Sequence, residues 1–233
     1  MRRKILLGLT TTTNSDWRKK IADIHKFDLH EIALFLTGVS KFERDEIYRK
    51  LERSQIEKIP HVHLRDDFGE IELDYLVERF GVEYFNIHAR GNCKHFLKME
   101  KHLDKMYIEN SPTMSKKNFE VYLSKSAGVC VDFSHWESFK RKFPHKKYGD
   151  FMQVLKTHKI GCCHVSGVKI EPFIVDYTKS FSVHFLDDLF ELDYMKKYVE
   201  YLPKYVSLEL ENSFEQQLQA KKYLEKIIRE HKE

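Results

Sequence analysis

Short apolar runs alternate with helix-period segments along this chain. The runs cover residues 5–10, 32–37, 61–65, 84–88, 106–109, 128–132, 161–165 and 205–209, and each holds four to six residues rich in Val, Ile, Leu, Phe or Tyr. Such runs suit strands covered on both faces by helices. Between them, Leu73, Leu76, Val77 and Phe80 fall at i, i+3, i+4 and i+7, and Phe151, Val154, Leu155 and His158 repeat that spacing. Leu189, Leu192, Met195, Val199 and Leu202 make a longer stripe, and Phe214, Leu218, Leu224, Ile227 and Ile228 make a last one. Each stripe predicts a helix that covers one side of a sheet. Ser15, Ser40 and Ser213 stand where helices start.

Strand and helix in alternation imply parallel strands joined by right-handed crossovers. Eight units in 233 residues predict an α/β fold, a (β/α)8 TIM barrel forming one domain over residues 1–233. The rival is an open doubly wound sheet, which usually shows a glycine-rich phosphate turn after its first strand. Here Gly8 is followed by Leu9 and a run of threonines, and only nine glycines occur in the chain. Two connections are long: 166–181, with Lys169, Glu171, Pro172, Asp176 and Lys179, and 133–148, with Lys140, Arg141, Lys142, Lys146 and Lys147. Both read as solvated loops, or functionally as a lid or an anion-facing rim.

The chemistry collects at strand ends. His63, His88, Glu109, Asp132, His164 and Glu209 lie at or near the C-terminal ends of six apolar runs. One such histidine would read as a hydrogen-bonded structural residue. Six differ, because a barrel brings all strand C-termini to one face, where the active sites of this fold are built. A divalent cation (zinc, manganese or magnesium) needs carboxylates and imidazoles converging from several directions. A carboxylate buried without a partner is costly, and a cation removes that cost. Period-two alternation sends Ser207, Glu209 and Glu211 to one face; Glu209 is the deeper and the preferred ligand, leaving Glu211 to orient substrate or face solvent. His135, three residues beyond Asp132, reaches the same pocket. His61 is read as a barrel-interior hydrogen bonder. His25, His30, His95, His102, His145 and His158 are placed in helices or outer loops.

Composition narrows the partners. Forty basic and 36 acidic residues leave a net charge of only +4, so no single-sign field marks a nucleic-acid surface. No 18-residue apolar stretch suits a membrane span, and the apolar start is too short for a signal peptide. Cys93, Cys130, Cys162 and Cys163 have no CxxC spacing and read as reduced, mainly core thiols of a cytoplasmic protein. Neither a Gly-x-Ser-x-Gly elbow nor an HExxH motif occurs. The oligomeric state stays open.

At these residues the chain resembles the xylose isomerase-like barrel superfamily, which includes sugar phosphate isomerases and epimerases and the AP endonuclease family 2 enzymes. The resemblance spans nearly the whole chain and is strongest from 61 to 212. It implies a metal held by Glu109 in Tyr-Ile-Glu-Asn, Asp132 in Val-Asp-Phe-Ser-His, His164 in Cys-His-Val-Ser and Glu209 in Ser-Leu-Glu-Leu-Glu-Asn. In the isomerase and epimerase branch, the implied substrate is a small sugar or sugar phosphate. Glu109 and Glu209 would exchange protons through an enediolate, and His135 and Lys169 would hold oxygens. The endonuclease branch adds His63 and His88, and an Asp-x-His pair whose match here is Ser182-Val-His184, with Ser in place of Asp. That branch implies metal-assisted phosphodiester hydrolysis at two or three ions. A third reading keeps the ligands in a barrel without catalysis.

Overall fold

A computed structural model of the protein describes residues 3–12, 14–89, 93–110, 116–144, 149–175 and 178–231. In chain order its elements begin with β1 (Lys4–Leu6), β2 (Gly8–Thr10), α1 (Trp17–Ala22), β3 (Glu31–Phe35), α2 (Lys41–Glu52), β4 (Lys58–His63), α3 (Glu70–Phe80) and β5 (Tyr84–His88). Then come α4 (Cys93–Phe96), β6 (Met106–Glu109), α5 (Lys116–Leu123), β7 (Gly128–Asp132), α6 (Phe133–Lys142), α7 (Gly149–Thr157) and β8 (Ile160–Val165). The chain continues through β9 (Gly167–Val175), β10 (Thr178–Val183), β11 (Tyr205–Leu208) and α8 (Phe214–Glu230).

Nine strands form one parallel sheet in the order β1-β11-β8-β7-β6-β5-β4-β3-β2. The two ends of that order, β1 and β2, are consecutive in the chain, so the sheet curls into a TIM barrel whose first stave is shared. β1 pairs with β11, and after Leu7 the chain pairs as β2 with β3. The closure is tight at Gly8, where an added Cβ would lie 1.9 Å from the Leu208 carbonyl oxygen. Only glycine permits that approach. The buried Gln217 amide of α8 patches the same gap: its Oε1 accepts from Gly8 N at 2.8 Å and its Nε2 donates to Gly8 O at 3.0 Å. It thereby satisfies backbone groups that the split stave takes out of the ladder.

Alternation along the strands makes two layers. Leu34, Val62, Phe85, Ile108, Val129, Val131, Cys163 and Val206 point outward into the large core under the helices. Leu6, Ala33, Phe35 and Tyr205 fill the barrel interior with Tyr107, Cys130 and Cys162. All four cysteines are free and buried. Among the described residues no helix is long and apolar enough to cross a membrane.

Ser40 and Ser213 cap α2 and α8 with full capping boxes, as expected. α1 is capped one residue later than expected, by Asp16, because Ser15 Oγ donates to the Thr10 carbonyl instead. Three further expectations are corrected. The connection 166–181 is largely the antiparallel hairpin β9–β10, whose backbone groups pair with each other. The first ten residues of 133–148 are helix α6, capped by the last residue of β7, Asp132. The stripe from Leu189 to Leu202 is 3-10 helix (Leu189–Lys197 and Val199–Tyr201) rather than α-helix. His145, Lys146, Lys147 and Asp176 lie outside the described residues, as does the side chain of Phe151.

Candidate metal centre

The inward parity that fills the barrel also builds its rim. Counting up each strand by two, Tyr84 leads to Asn86 and His88, Tyr107 to Glu109, Cys130 to Asp132, and Cys162 to His164. The same step takes His61 to His63 and Tyr205 through Ser207 to Glu209. Parallel register sets the rim residues level, pairing His88 with Glu109 and Asp132 with His164. His63, Glu109, Asp132, His164 and Glu209 are all buried.

Glu109 is the most crowded of them. Its Oε2 accepts from Asn86 Nδ2 at 2.6 Å and lies 3.0 Å from His63 Nε2, while its Oε1 lies 3.2 Å from His88 Nε2. His63 Nδ1 faces the Leu64 carbonyl at 2.9 Å. A carbonyl only accepts, so Nδ1 carries the proton. The other nitrogen then meets a carboxylate, which requires either a second proton on His63 or a cation between them. Burial would raise Glu109, but His88, His164 and His63 hold it well below the usual carboxylate range.

Beside it, Asp132, His164 and Glu209 offer ligand atoms within 4.8 Å of one another. Asp132 Oδ1 is occupied, accepting from Ser134 Oγ at 2.7 Å and from His135 N at 2.8 Å. Its Oδ2 is buried without a hydrogen-bond partner, and so are both ring nitrogens of His164. His164 Nδ1 lies 3.3 Å from Glu209 Oε2 and 3.9 Å from Glu109 Oε2, without hydrogen-bond geometry. Burial opposes charge on His164, yet Glu109, Glu209 and Asp132 push it up to about 10. Burial likewise opposes charge on Glu209, yet His184, His164 and His63 hold it low. Buried acids here are balanced only by protons on imidazoles, and a divalent cation can take the place of those protons. The unpartnered Oδ2 and ring nitrogens fit such an ion.

The sequence-expected residues fall into tiers. Glu109 joins Asp132 and His135 in one group of ligand atoms and His63 and His88 in another, each within 4.8 Å. Thus Glu109 and Asp132 link overlapping sets, and the four expected ligands share a neighbourhood rather than one compact group. His184 Nε2 sits 3.9 Å from Glu209 Oε2 at the edge. Glu211 is less buried than Glu209, and its N–H donates to the His184 carbonyl at 2.7 Å. Lys169 is engaged by Glu191 at 2.7 Å and by Asp187. His61 bonds Ser207 Oγ at 2.7 Å and Asn86 Oδ1 at 2.9 Å, the interior role expected of it.

Sequence reasoning missed the supports. His61 donates to Asn86, which donates to Glu109, and Asn110 clamps the Asp132 backbone through bonds of 2.8 and 2.9 Å. Period two alone places Asn86 and Ser207 on the inner face beneath His88 and Glu209.

No protein-family model matches the chain, and no curated protein matches it. Solved structures do. A crystal structure of IolI protein with a zinc atom is 15% identical, with a TM-score of 0.58, covering 97% of this chain and 99% of that one. A D-tagatose 3-epimerase-like protein is 14% identical, with a TM-score of 0.52, covering 97% and 98%. A xylose isomerase domain protein from Planctomyces limnophilus is 10% identical, with a TM-score of 0.50, covering 89% and 90%. At such identities the likeness speaks to architecture and not to reaction. With its parallel barrel, the chain has the TIM-barrel fold of these structures.

Proposed function

We propose that this chain is a divalent-metal-dependent isomerase or epimerase of a small sugar or sugar phosphate. The observation that carries the reading is the buried set Asp132, His164 and Glu209, with an unpartnered carboxylate oxygen and imidazole at its centre and Glu109 alongside. The zinc atom of the IolI structure and the name of the D-tagatose 3-epimerase-like protein support this choice. Glu109, Asp132, His164 and Glu209 would hold zinc, manganese or magnesium. The ion supplies Lewis-acid stabilisation of charge developing on adjacent substrate oxygens. Glu109 and Glu209, both near His164 Nδ1, would act as acid and base beside the substrate carbon: the carboxylate that removes the proton becomes the carboxylic acid that returns it. His135, partly open to solvent, would orient substrate oxygens, and Lys169 would join it on leaving Asp187. Four free buried thiols agree with a reducing, cytoplasmic setting.

The test is a panel of ketoses, aldoses and their phosphates, incubated with metal-loaded protein in heavy water and read by NMR. One substrate takes up solvent deuterium, and Glu109→Gln abolishes the uptake. A panel with no uptake above that variant overturns the reading.

A second reading, metal-assisted phosphodiester hydrolysis, is favoured by one observation. His63, His88 and Glu109 form another ligand-capable group directly beside the first. It requires two or more ions per chain and nicking of abasic-site DNA. One ion per chain and intact DNA would sink it.

A further inference from the structure

Asp132 does not hold its orientation alone. Ser134 Oγ donates to Asp132 Oδ1 at 2.7 Å, and Ser166 Oγ donates to Ser134 Oγ at 2.7 Å. Ser182 Oγ lies 2.7 Å from the same Ser134 oxygen. A hydroxyl has one proton to give and two lone pairs to receive with. Ser134 gives its proton to the carboxylate, so Ser166 and Ser182 must both donate to it. Three hydroxyls therefore form a funnel of O–H bonds directed at a single carboxylate oxygen. Ser134 and Ser166 are fully buried, so no water competes for these positions.

The consequence is geometric. With Oδ1 fixed by Ser134 Oγ and His135 N, the carboxylate cannot turn, and Oδ2 is left without a hydrogen bond, 3.5 Å from His135 Nε2 and grouped with His164 and Glu209. Ser182 adds a second consequence, because it belongs to β10, outside the barrel sheet. The β9–β10 hairpin packs on α6, and Ser182 ties it to the same carboxylate. His184, one residue past β10, reaches toward Glu209 from the same segment.

We propose that Ser134 is a positioning residue that presents one Asp132 oxygen to the cation, and that Ser182 links this presentation to the β9–β10 hairpin. This rests on the reading of Asp132 as a metal ligand. Partners that orient a ligand in this way are worth about 10–100-fold in metal affinity.

The experiment is competitive zinc titration of the full chain, after chelator stripping, for wild type, Ser134→Ala, Ser134→Cys and Ser182→Ala. Circular dichroism and melting checks accompany each. Ser134→Ala weakens zinc about tenfold or more, and Ser134→Cys, near-isosteric with a weaker donor, falls between it and wild type. Ser182→Ala loses less. Zinc slows amide exchange over Thr178–Val183 in wild type, and the slowing shrinks in Ser182→Ala. Equal zinc affinity in folded wild type, Ser134→Ala and Ser134→Cys overturns the proposal while leaving the metal reading intact. Hairpin exchange indifferent to zinc also overturns it. Should Ser134→Ala not fold, undiminished affinity in Ser182→Ala overturns it. A wild type that binds no zinc removes the proposal and the metal reading together.

Discussion

Of the places where the described residues bury charge, two settle it in opposite ways. Between α2 and α3, the Arg44 guanidinium is wholly buried. It gives Nε and Nη2 to Glu72 at 2.7 and 3.0 Å and Nη1 to Asp67 at 3.0 Å, and it lies 4.1 Å over the Phe68 ring. Tyr48 completes the set with a 2.8 Å bond to Glu72. At the barrel rim, Asp132 and His164 are as deeply buried, yet Asp132 Oδ2 and both imidazole nitrogens lack hydrogen bonds. Both clusters juxtapose acids with bases. The first uses its directional bonds internally. The second leaves its capacity open, and an open buried donor set is costly unless something else enters. Burial and charge alone do not separate the two clusters; the unsatisfied valence at the rim does.

The sharpest way to break this contrast is to remove Arg44. Arg44→Met leaves Glu72 buried without its partner and costs about 3 kcal/mol of stability in urea unfolding, while zinc affinity stays at the wild-type value. A matching fall in zinc affinity would erase the distinction between the clusters. The complementary change is Asp132→Asn, which keeps the shape and removes the charge. Zinc affinity falls about 100-fold or more, at or beyond the upper end of losses seen for ligand-supporting residues. The cation-free protein keeps its stability. Zinc at 100 times its Kd stabilises wild type by about 2.7 kcal/mol, and a thermal shift measures the loss of that gain in the variant. A variant that still gains stability from zinc like wild type counts against the rim as the site.

Lys20 offers a smaller and subtler test, since it is a third buried charge. Its amine donates to Thr10 Oγ1 at 2.9 Å and to the Leu210 carbonyl at 2.8 Å. Burial pulls it down to about 7, against the attraction of Glu211 and Asp16. In the unfolded chain a lysine keeps its proton to about 10.4. Between these values the unfolded state binds more protons, so stability rises with pH through this window and the penalty is fully present below it. From pH 7 to 9, wild type gains about 2 kcal/mol relative to Lys20→Met. Parallel pH profiles of the two proteins in urea check this, and coincident profiles would instead place Lys20 with Arg44, satisfied in its charged form.

The sequence exposed the barrel because its signal is repetitive: an apolar run, a polar end and a helical stripe recur along the chain. The candidate ligands stood out for the same reason, being charged or imidazole groups where strands finish. The supports did not. Ser134, Ser166 and Ser207 look like any serine until the fold brings Asp132 and His61 against them. α6 was hidden because Asp132 is both the end of β7 and the helix cap, leaving no intervening turn to announce it. Its basic last turn, Lys140 to Lys142, imitated a solvated loop. The hairpin was masked by Pro172 and by charged residues within β9. The Arg44 cluster joins α2 to the 67–72 region, and nothing in either segment alone predicts the other.

The shared first stave has a consequence for how this molecule is made. β1 can find its neighbour only in residues 205–208, and the amide that patches Gly8 arrives with residue 217. On a ribosome, the opening strand therefore emerges about two hundred residues before its partners. It must wait in an incomplete arc with one open border, a border a chaperone or a second nascent chain could meet first. Ring closure thus waits until residues 205–217 have been made.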